Sequence, residues 1–348
     1  MIIGRLFTGF STGALAFNLP VYIGEFSSKE IRGILLTLYQ VFVKSGVVFV
    51  YTLGHFCNVL TMNVISASIL VCYAISFIFM PETPTFLVRH QKYDKAEKAV
   101  KILRGSQYNA KSEIFELQRF HELAAKAPKS SFIIEMKKKS TQKAFIIIVF
   151  MFFFFQMTGI NSIVFYTTTI FIEADISLEA SIASIILGII QVLMSMTTML
   201  FIDKFGRVLL LKISFAIMTV GQAGIGTFFL LKEHEVAFLD HLGWLPLTSL
   251  SIFSIGFASG MATIPFILLG EIFSDEAKKI VAPFAQTMNF VTSSAIGFLF
   301  PILFKNIGAG CTFYIFAGSC LLGLIFTTFF LPETKGKSLA EIQSMLEK

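Results

Sequence analysis

Pro81-Glu82-Thr83-Pro84 returns near the end of the chain as Pro332-Glu333-Thr334-Lys335, and Gly24-Glu25-Phe26-Ser27 returns as Gly270-Glu271-Ile272-Phe273-Ser274. The offset is 251 residues for the first pair (82 to 333) and 246 for the second (25 to 271). Two signals at nearly one offset argue for a duplicated half.

The residues between these signals are strongly apolar. Hydrophobic residues make up 55% of the chain and charged residues 14%, with 41 phenylalanines. A soluble core of this length does not need so much apolar surface. A bilayer does, at about 20 residues per crossing. The pattern predicts nine membrane helices, near 2–24, 34–56, 61–80, 143–171, 180–201, 208–231, 243–270, 280–304 and 310–331. Met1 to Phe10 already contains Arg5 and two glycines, so the start reads as a span rather than a secretory signal.

Charge orients the spans. If the first runs outside to inside, the cytoplasmic segments are 25–33, 81–143, 203–212, 271–279 and 332–348. They hold 24 of the 28 Lys and Arg residues, the exceptions being Arg5, Lys44, Lys232 and Lys305. The 173–179 loop carries Glu173, Asp175 and Glu179 without a cation. This asymmetry places the C-terminus inside. Residues 89–126 are charged and twice amphipathic. Ala96, Ala99, Val100 and Leu103 recur at helical spacing, as do Ile114, Leu117, Phe120 and Ala124. Short cytoplasmic helices fit best. The expected organisation is 1–80, three helices of an N-terminal half; 81–142, a cytoplasmic linker; 143–331, a six-helix C-terminal half; and 332–348, a cytoplasmic tail.

The repeat also sets a length. The second half has three helices before the one that ends at Glu271, whereas the first has only 24 residues before Glu25. By that symmetry about 100 residues, or three helices, are expected to be missing at the N-terminus. Cys57, Cys72, Cys311 and Cys320 have no paired spacing and the five histidines are scattered. No nucleophile–base pairing, phosphate loop or metal-spaced cluster emerges, so the chain does not read as an enzyme, and no cofactor or metal is expected.

Five short motifs carry a family resemblance. Gly4-Arg5-Leu6 with Pro20-Val21-Tyr22-Ile23-Gly24-Glu25 and Arg32-Gly33 forms the first. Pro81 to Leu87, Gln156-Met157-Thr158-Gly159-Ile160-Asn161, Asp203-Lys204-Phe205-Gly206-Arg207 and Pro332 to Gly336 complete the set. Together they resemble the sugar porters of the major facilitator superfamily, most closely in the style of the insect facilitated trehalose transporters. The resemblance implies an all-α integral membrane bundle with nine of twelve spans present. It implies facilitative transport of trehalose or a hexose by alternating access at the cell membrane. A non-transporting sensor or a remnant is the alternative. The implied partners are a small-molecule sugar and the lipid bilayer, with no nucleic acid. The visible spans hold no carboxylate at mid-membrane, which argues against proton coupling. Related proton symporters, however, carry their key acid in the first helix.

A sugar must exchange water for other hydrogen-bonding groups, and neutral amides provide them without a charge's desolvation cost. Through the resemblance, Gln40, Gln156, Asn161, Gln191 and Asn289 fall where the family places its sugar-contacting amides. The same side chains also suit interhelical hydrogen bonds, as does Gln286. Phe257 and Phe266 are the expected aromatic contacts, in a stretch that Gly256, Gly260 and Pro265 loosen. Gly159 lets its span break near Asn161. Glu25, Arg32, Glu82, Arg89, Asp203, Arg207, Glu271, Lys278, Glu333 and Lys335 resemble the family's cytoplasmic gate, whose carboxylates and cations pair across the two halves.

Some positions depart from the family. Phe155 replaces the first of two adjacent glutamines, Val208 replaces a second arginine, and Lys278-Lys279-Ile280 stands where Arg-Gly is expected. The tenth family helix usually carries several prolines and a tryptophan; here it reads Met261, Thr263, Pro265 and Phe266. Lys44 sits inside a span one turn from Gln40. It either lines the cavity and favours an anionic or more polar ligand, or marks relaxed selection.

Overall fold

The computed structural model describes residues 2–27, 32–105, 107–126, 138–176, 178–201, 205–236, 239–273, 275–337 and 339–347. These are helical almost throughout, with no strand among them. Eight segments are long and apolar enough to cross a membrane: Ile3–Phe26, Val59–Ile78, Lys139–Ala174, Ala180–Thr198, Arg207–Glu233, Leu245–Glu271, Val281–Asn306 and Ala309–Phe330. The ninth expected segment, 34–56, is also a single helix, Arg32–Phe56. The chain divides into two compact units, 1–43 with 57–129 and 44–56 with 130–348.

The first unit contains α1 (Ile2–Phe26), the start of α2 (Arg32–Phe56), and α3 (Val59–Ile78). Three short helices follow: α4 (Pro84–Arg89), α5 (Tyr93–Arg104) and α6 (Ala110–Lys126). Tyr22 joins α1 to the end of α3. Its hydroxyl donates to the Pro81 carbonyl at 2.9 Å, and its ring lies 5.9 Å from that of Phe77. Thr83 starts α4 as its N-cap, accepting from the Phe86 N–H at 3.2 Å, with Pro84 fixing the first helical φ. The amphipathic expectation for α5 holds: Ala96, Ala99 and Val100 are buried while the lysines face out. Leu87, Val88, Ala96, Ala99 and Ile114 form a small core. Arg104 clasps Glu113 through two nitrogens, at 2.6 and 2.5 Å, and so ties α5 to α6.

The second unit takes the rest of α2, then α7 (Lys139–Met157), α8 (Ile160–Ala174), α9 (Ala180–Phe201) and α10 (Arg207–Glu233). It continues with α11 (Leu245–Gly256), α12 (Ile264–Glu271), α13 (Asp275–Asn306), α14 (Ala309–Phe330) and α15 (Leu339–Glu347). Helix α10 is central, packed along α11 and α14. Lipid tails are as apolar as leucine, so helix association here depends on close fit rather than on escape from water. Small residues allow that fit. A Cβ on Gly221 of α10 would come within 2.6 Å of the Phe253 backbone nitrogen of α11. Phenylalanines fill the remaining space, as where the Phe229 and Phe313 rings stack at 5.7 Å.

Two expected single helices are broken. The 143–171 segment divides into α7 and α8 at Thr158–Gly159, as the glycine foretold, with Gly159 at φ +79°. A Cβ there would meet the Phe316 ring at 2.6 Å, so both conformation and space require glycine. The 243–270 segment divides into α11, a π turn (Phe257–Met261) and α12. Neighbouring helices satisfy the backbone groups freed at the turn. The Ser214 hydroxyl of α10 donates to the Gly256 carbonyl at 2.6 Å and accepts from the Met261 N–H at 3.1 Å. Thr198 of α9 donates to the Ala258 carbonyl at 2.8 Å. A broken helix survives inside a membrane only with such partners.

Candidate functional site

The break between α7 and α8 positions a cluster of neutral amides. Gln156, in the last turn of α7, donates to Asn289 Oδ1 of α13 at 2.6 Å. Asn161, in the first turn of α8, donates from Nδ2 to Gln156 Oε1 and to Ser293 Oγ, each at 2.7 Å. Gln156, Asn289 and Ser293 are buried and Asn161 is half-buried. An uninterrupted helix would turn residues five apart away from each other; the left-handed Gly159 between them brings Gln156 and Asn161 together. Behind the break, Gln222 of α10 donates to the freed Thr158 carbonyl at 2.7 Å, and its own Oε1 is buried without a partner among the described residues.

Three of the five expected amides, Gln156, Asn161 and Asn289, thus form one network. Gln191 stands apart, with Nε2 3.5 Å from the Ser254 hydroxyl. The side chain of Gln40, on α2, makes no hydrogen bond among the described residues, and neither does that of Gln286. Ser293 and Gln222 were not anticipated. Ser293 lies one turn beyond Asn289 on the same helix face, a spacing that marks it in retrospect.

Aromatic rings border the other side of α7. Phe155 packs edge-on against Phe257 at 5.2 Å and Phe266 at 5.9 Å, and Phe152 meets Phe266 at 5.2 Å. The two expected aromatic contacts therefore flank the phenylalanine that departs from the family pattern. The Lys44 ammonium lies 5.6 Å from the Phe257 ring centroid. A lysine in mid-span costs about 2.5–3.5 kcal/mol on insertion scales, and a desolvated cation–π contact returns about 2 kcal/mol.

The gate residues make their described contacts within each unit. In the first, Thr83 donates to Glu25 Oε2 at 2.6 Å. In the second, Thr334 donates to Glu271 Oε2 at 2.5 Å, and Arg207 donates to Glu271 Oε1 at 3.0 Å. Glu333 caps α10, accepting from the Arg207 N–H at 2.9 Å and the Val208 N–H at 3.1 Å. It also accepts from the Lys335 N–H at 3.0 Å. Burial pushes the Glu333 carboxyl upward, but the N–H groups of Lys335, Arg207, Val208 and Thr334 outweigh it and hold the group below its ordinary range. Within each unit, threonine hydroxyls and helix N–H groups satisfy the described carboxylates locally. Glu82 and Arg89 are exposed and Lys278 is half-buried. Asp203 lies outside the described residues, as does the Arg32 side chain.

The family model "Sugar (and other) transporter" matches residues 1–346. The chain is 32% identical to the facilitated trehalose transporter Tret1 of Culex quinquefasciatus over 343 residues, 99% of this chain and 66% of that protein. It is 33% identical to the facilitated trehalose transporter Tret1-2 homolog of Drosophila simulans, over 99% of this chain and 70% of that one. The chain thus spans about two thirds of the length of these curated relatives. In fold it is similar to the inward-open xylose transporter XylE from E. coli, with a TM-score of 0.76 at 23% identity, covering 94% of this chain and 68% of that one. The proton:xylose symporter XylE bound to 6-bromo-6-deoxy-D-glucose gives a TM-score of 0.69 at 22% identity, with 94% and 70% covered. An all-α bundle with the solved transporters' fold, motifs at both copies of the repeat and a match along nearly the whole length lead to one assignment: the chain belongs to the sugar (and other) transporter family.

Proposed function

We propose that this chain carries a sugar, trehalose or a hexose, down its gradient by alternating access, as a carrier rather than an enzyme. The observation that carries the reading is the network of Gln156, Asn161, Asn289 and Ser293 at the α7–α8 break. These groups satisfy one another, so none stands dry and unpaired. A polyol replaces those bonds with its own hydroxyls, donor for donor, at little desolvation cost. Gln40, Gln191, Phe257 and Phe266 are the further proposed contacts. The helix breaks supply the movable joints, and the gate carboxylates and cations exchange partners as the protein switches. Such pairs suit a switch because their net stability is small. We place the protein in the cell membrane, with its C-terminus cytoplasmic.

The test is uptake of radiolabelled trehalose and glucose into proteoliposomes holding the purified chain. Saturable uptake that is indifferent to a pH gradient is expected. A correctly inserted protein that carries neither these nor any other sugar overturns the reading.

A further inference from the structure

Lys44 occupies the middle of α2, twelve residues from either end (32 to 44, 44 to 56). At 1.5 Å per residue this is about 18 Å each way, too far for the side chain to snorkel to an interface. Its direction follows from its neighbours. Lys44, Val48, Tyr51 and His55 are spaced by four, three and four residues and so share one helix face. Val48 packs against Gly188 of α9. The Tyr51 hydroxyl donates to the Val164 carbonyl of α8 at 2.6 Å, and His55 Nδ1 lies 2.9 Å from Ser181 Oγ of α9. This face is packed against protein, and Lys44 points along it to the buried ring of Phe257.

No described carboxylate pairs with the Lys44 ammonium. Every described Asp and Glu falls at a span end or in a connecting segment. A ring quadrupole offsets only part of the cost of a desolvated charge, and an uncompensated cation is what a mobile anion relieves.

We propose that Lys44 sets the substrate class: the carried sugar bears one carboxylate, as a hexuronate does. That carboxylate pairs with the ammonium, while the apolar face of the sugar ring meets Phe155 and Phe257. One cation matches one negative charge. A sugar phosphate would bring a second with nothing beside Lys44 to meet it, since the other Lys and Arg of the predicted spans, Arg5 and Lys212 among them, lie within a few residues of a span end. The assignment rests on the transport reading and sharpens it.

Equilibrium binding of radiolabelled glucuronate and glucose to the purified full chain tests it, with wild type, Lys44→Met and Lys44→Arg. Wild type should prefer glucuronate by about tenfold or more. Lys44→Met should bring that preference close to one, and Lys44→Arg should restore most of it. Equal binding of both sugars by wild type overturns the proposal. So does a preference that survives Lys44→Met, which would leave Lys44 as packing for Phe257. If Lys44→Met does not fold, the wild-type preference decides alone. Vesicle uptake separates the two claims. Glucose uptake without glucuronate binding sinks this assignment and leaves transport standing. Glucuronate binding without uptake of any sugar sinks the transport reading and, with it, the claim that the bound hexuronate is carried.

Discussion

Thr334 donates its hydroxyl to Glu271 across 2.5 Å, and the same bond recurs in the other copy of the repeat between Thr83 and Glu25, at 2.6 Å. The duplication therefore preserves a hydrogen bond as well as two short motifs. In both copies it ties the end of one helix to the segment that leaves the second helix after it.

Thr334→Val and Thr83→Val should each destabilise the protein by about 1.5 kcal/mol, the net worth of a hydrogen bond to a charged acceptor. Thermal unfolding in detergent measures this. Thr→Ser at either position should recover most of the loss. An equal loss with serine would mean that the threonine methyl, not the hydroxyl, matters.

Glu333 gives a pH prediction with a definite sign. Its folded carboxyl titrates below the ordinary value of 4.5, so its stabilisation is fully present above 4.5 and lost as pH falls through the folded value. Glu333→Gln should lower the unfolding temperature at pH 7. The gap from wild type should narrow steadily below pH 4.5. A gap of the same size at pH 7 and pH 3.5 would contradict the linkage.

Asn161→Ala removes both bonds from Nδ2, to Gln156 and to Ser293. It should raise the half-saturating concentration for sugar uptake by about tenfold while surface expression stays near wild type. Gln156→Leu should do at least as much, since it also strips Asn289 of its donor. Unchanged uptake in both variants would move the binding site elsewhere.

Gly159→Ala combines a left-handed backbone with overlap against Phe316 and should cost about 1–3 kcal/mol from the strained backbone alone. Adding Phe316→Ala relieves the overlap but not the backbone. The double variant should therefore regain less than the ring contact would suggest. Full recovery would show that the dihedral is inexpensive here.

Much of this architecture is legible in the residues. Glu25 and Glu271, with Thr83 and Thr334, advertise the repeat because both copies need the same side-chain chemistry. Gly159 advertises the α7–α8 break, since a helix interior otherwise discourages glycine. Alternation of alanines with lysines advertises α5. What is not legible depends on contacts between distant positions. Ser214 and Thr198 look like ordinary span residues, and only the packing of α9 and α10 beside the π turn reveals which carbonyls they satisfy. Gln222 and Ser293 are missed for the same reason. The gate carboxylates are visible as charges at helix ends, but a charge does not name its partner. Arg207 pairs with Glu271, whereas Glu333 takes backbone N–H groups instead.

The break at Gly159 also has an electrical consequence. Helix α7 ends and α8 begins within three residues, both running the same way along the chain. Each helix end carries the equivalent of about half an elementary charge, negative at the C-terminus and positive at the N-terminus. Side by side, the two ends cancel beyond a few ångströms. A molecule lying directly against the break still meets both signs, a field that orients hydroxyl groups but gives a distant ion nothing to follow. Long-range attraction inside this unit's spans is thereby left to a full charge, and Lys44 carries one.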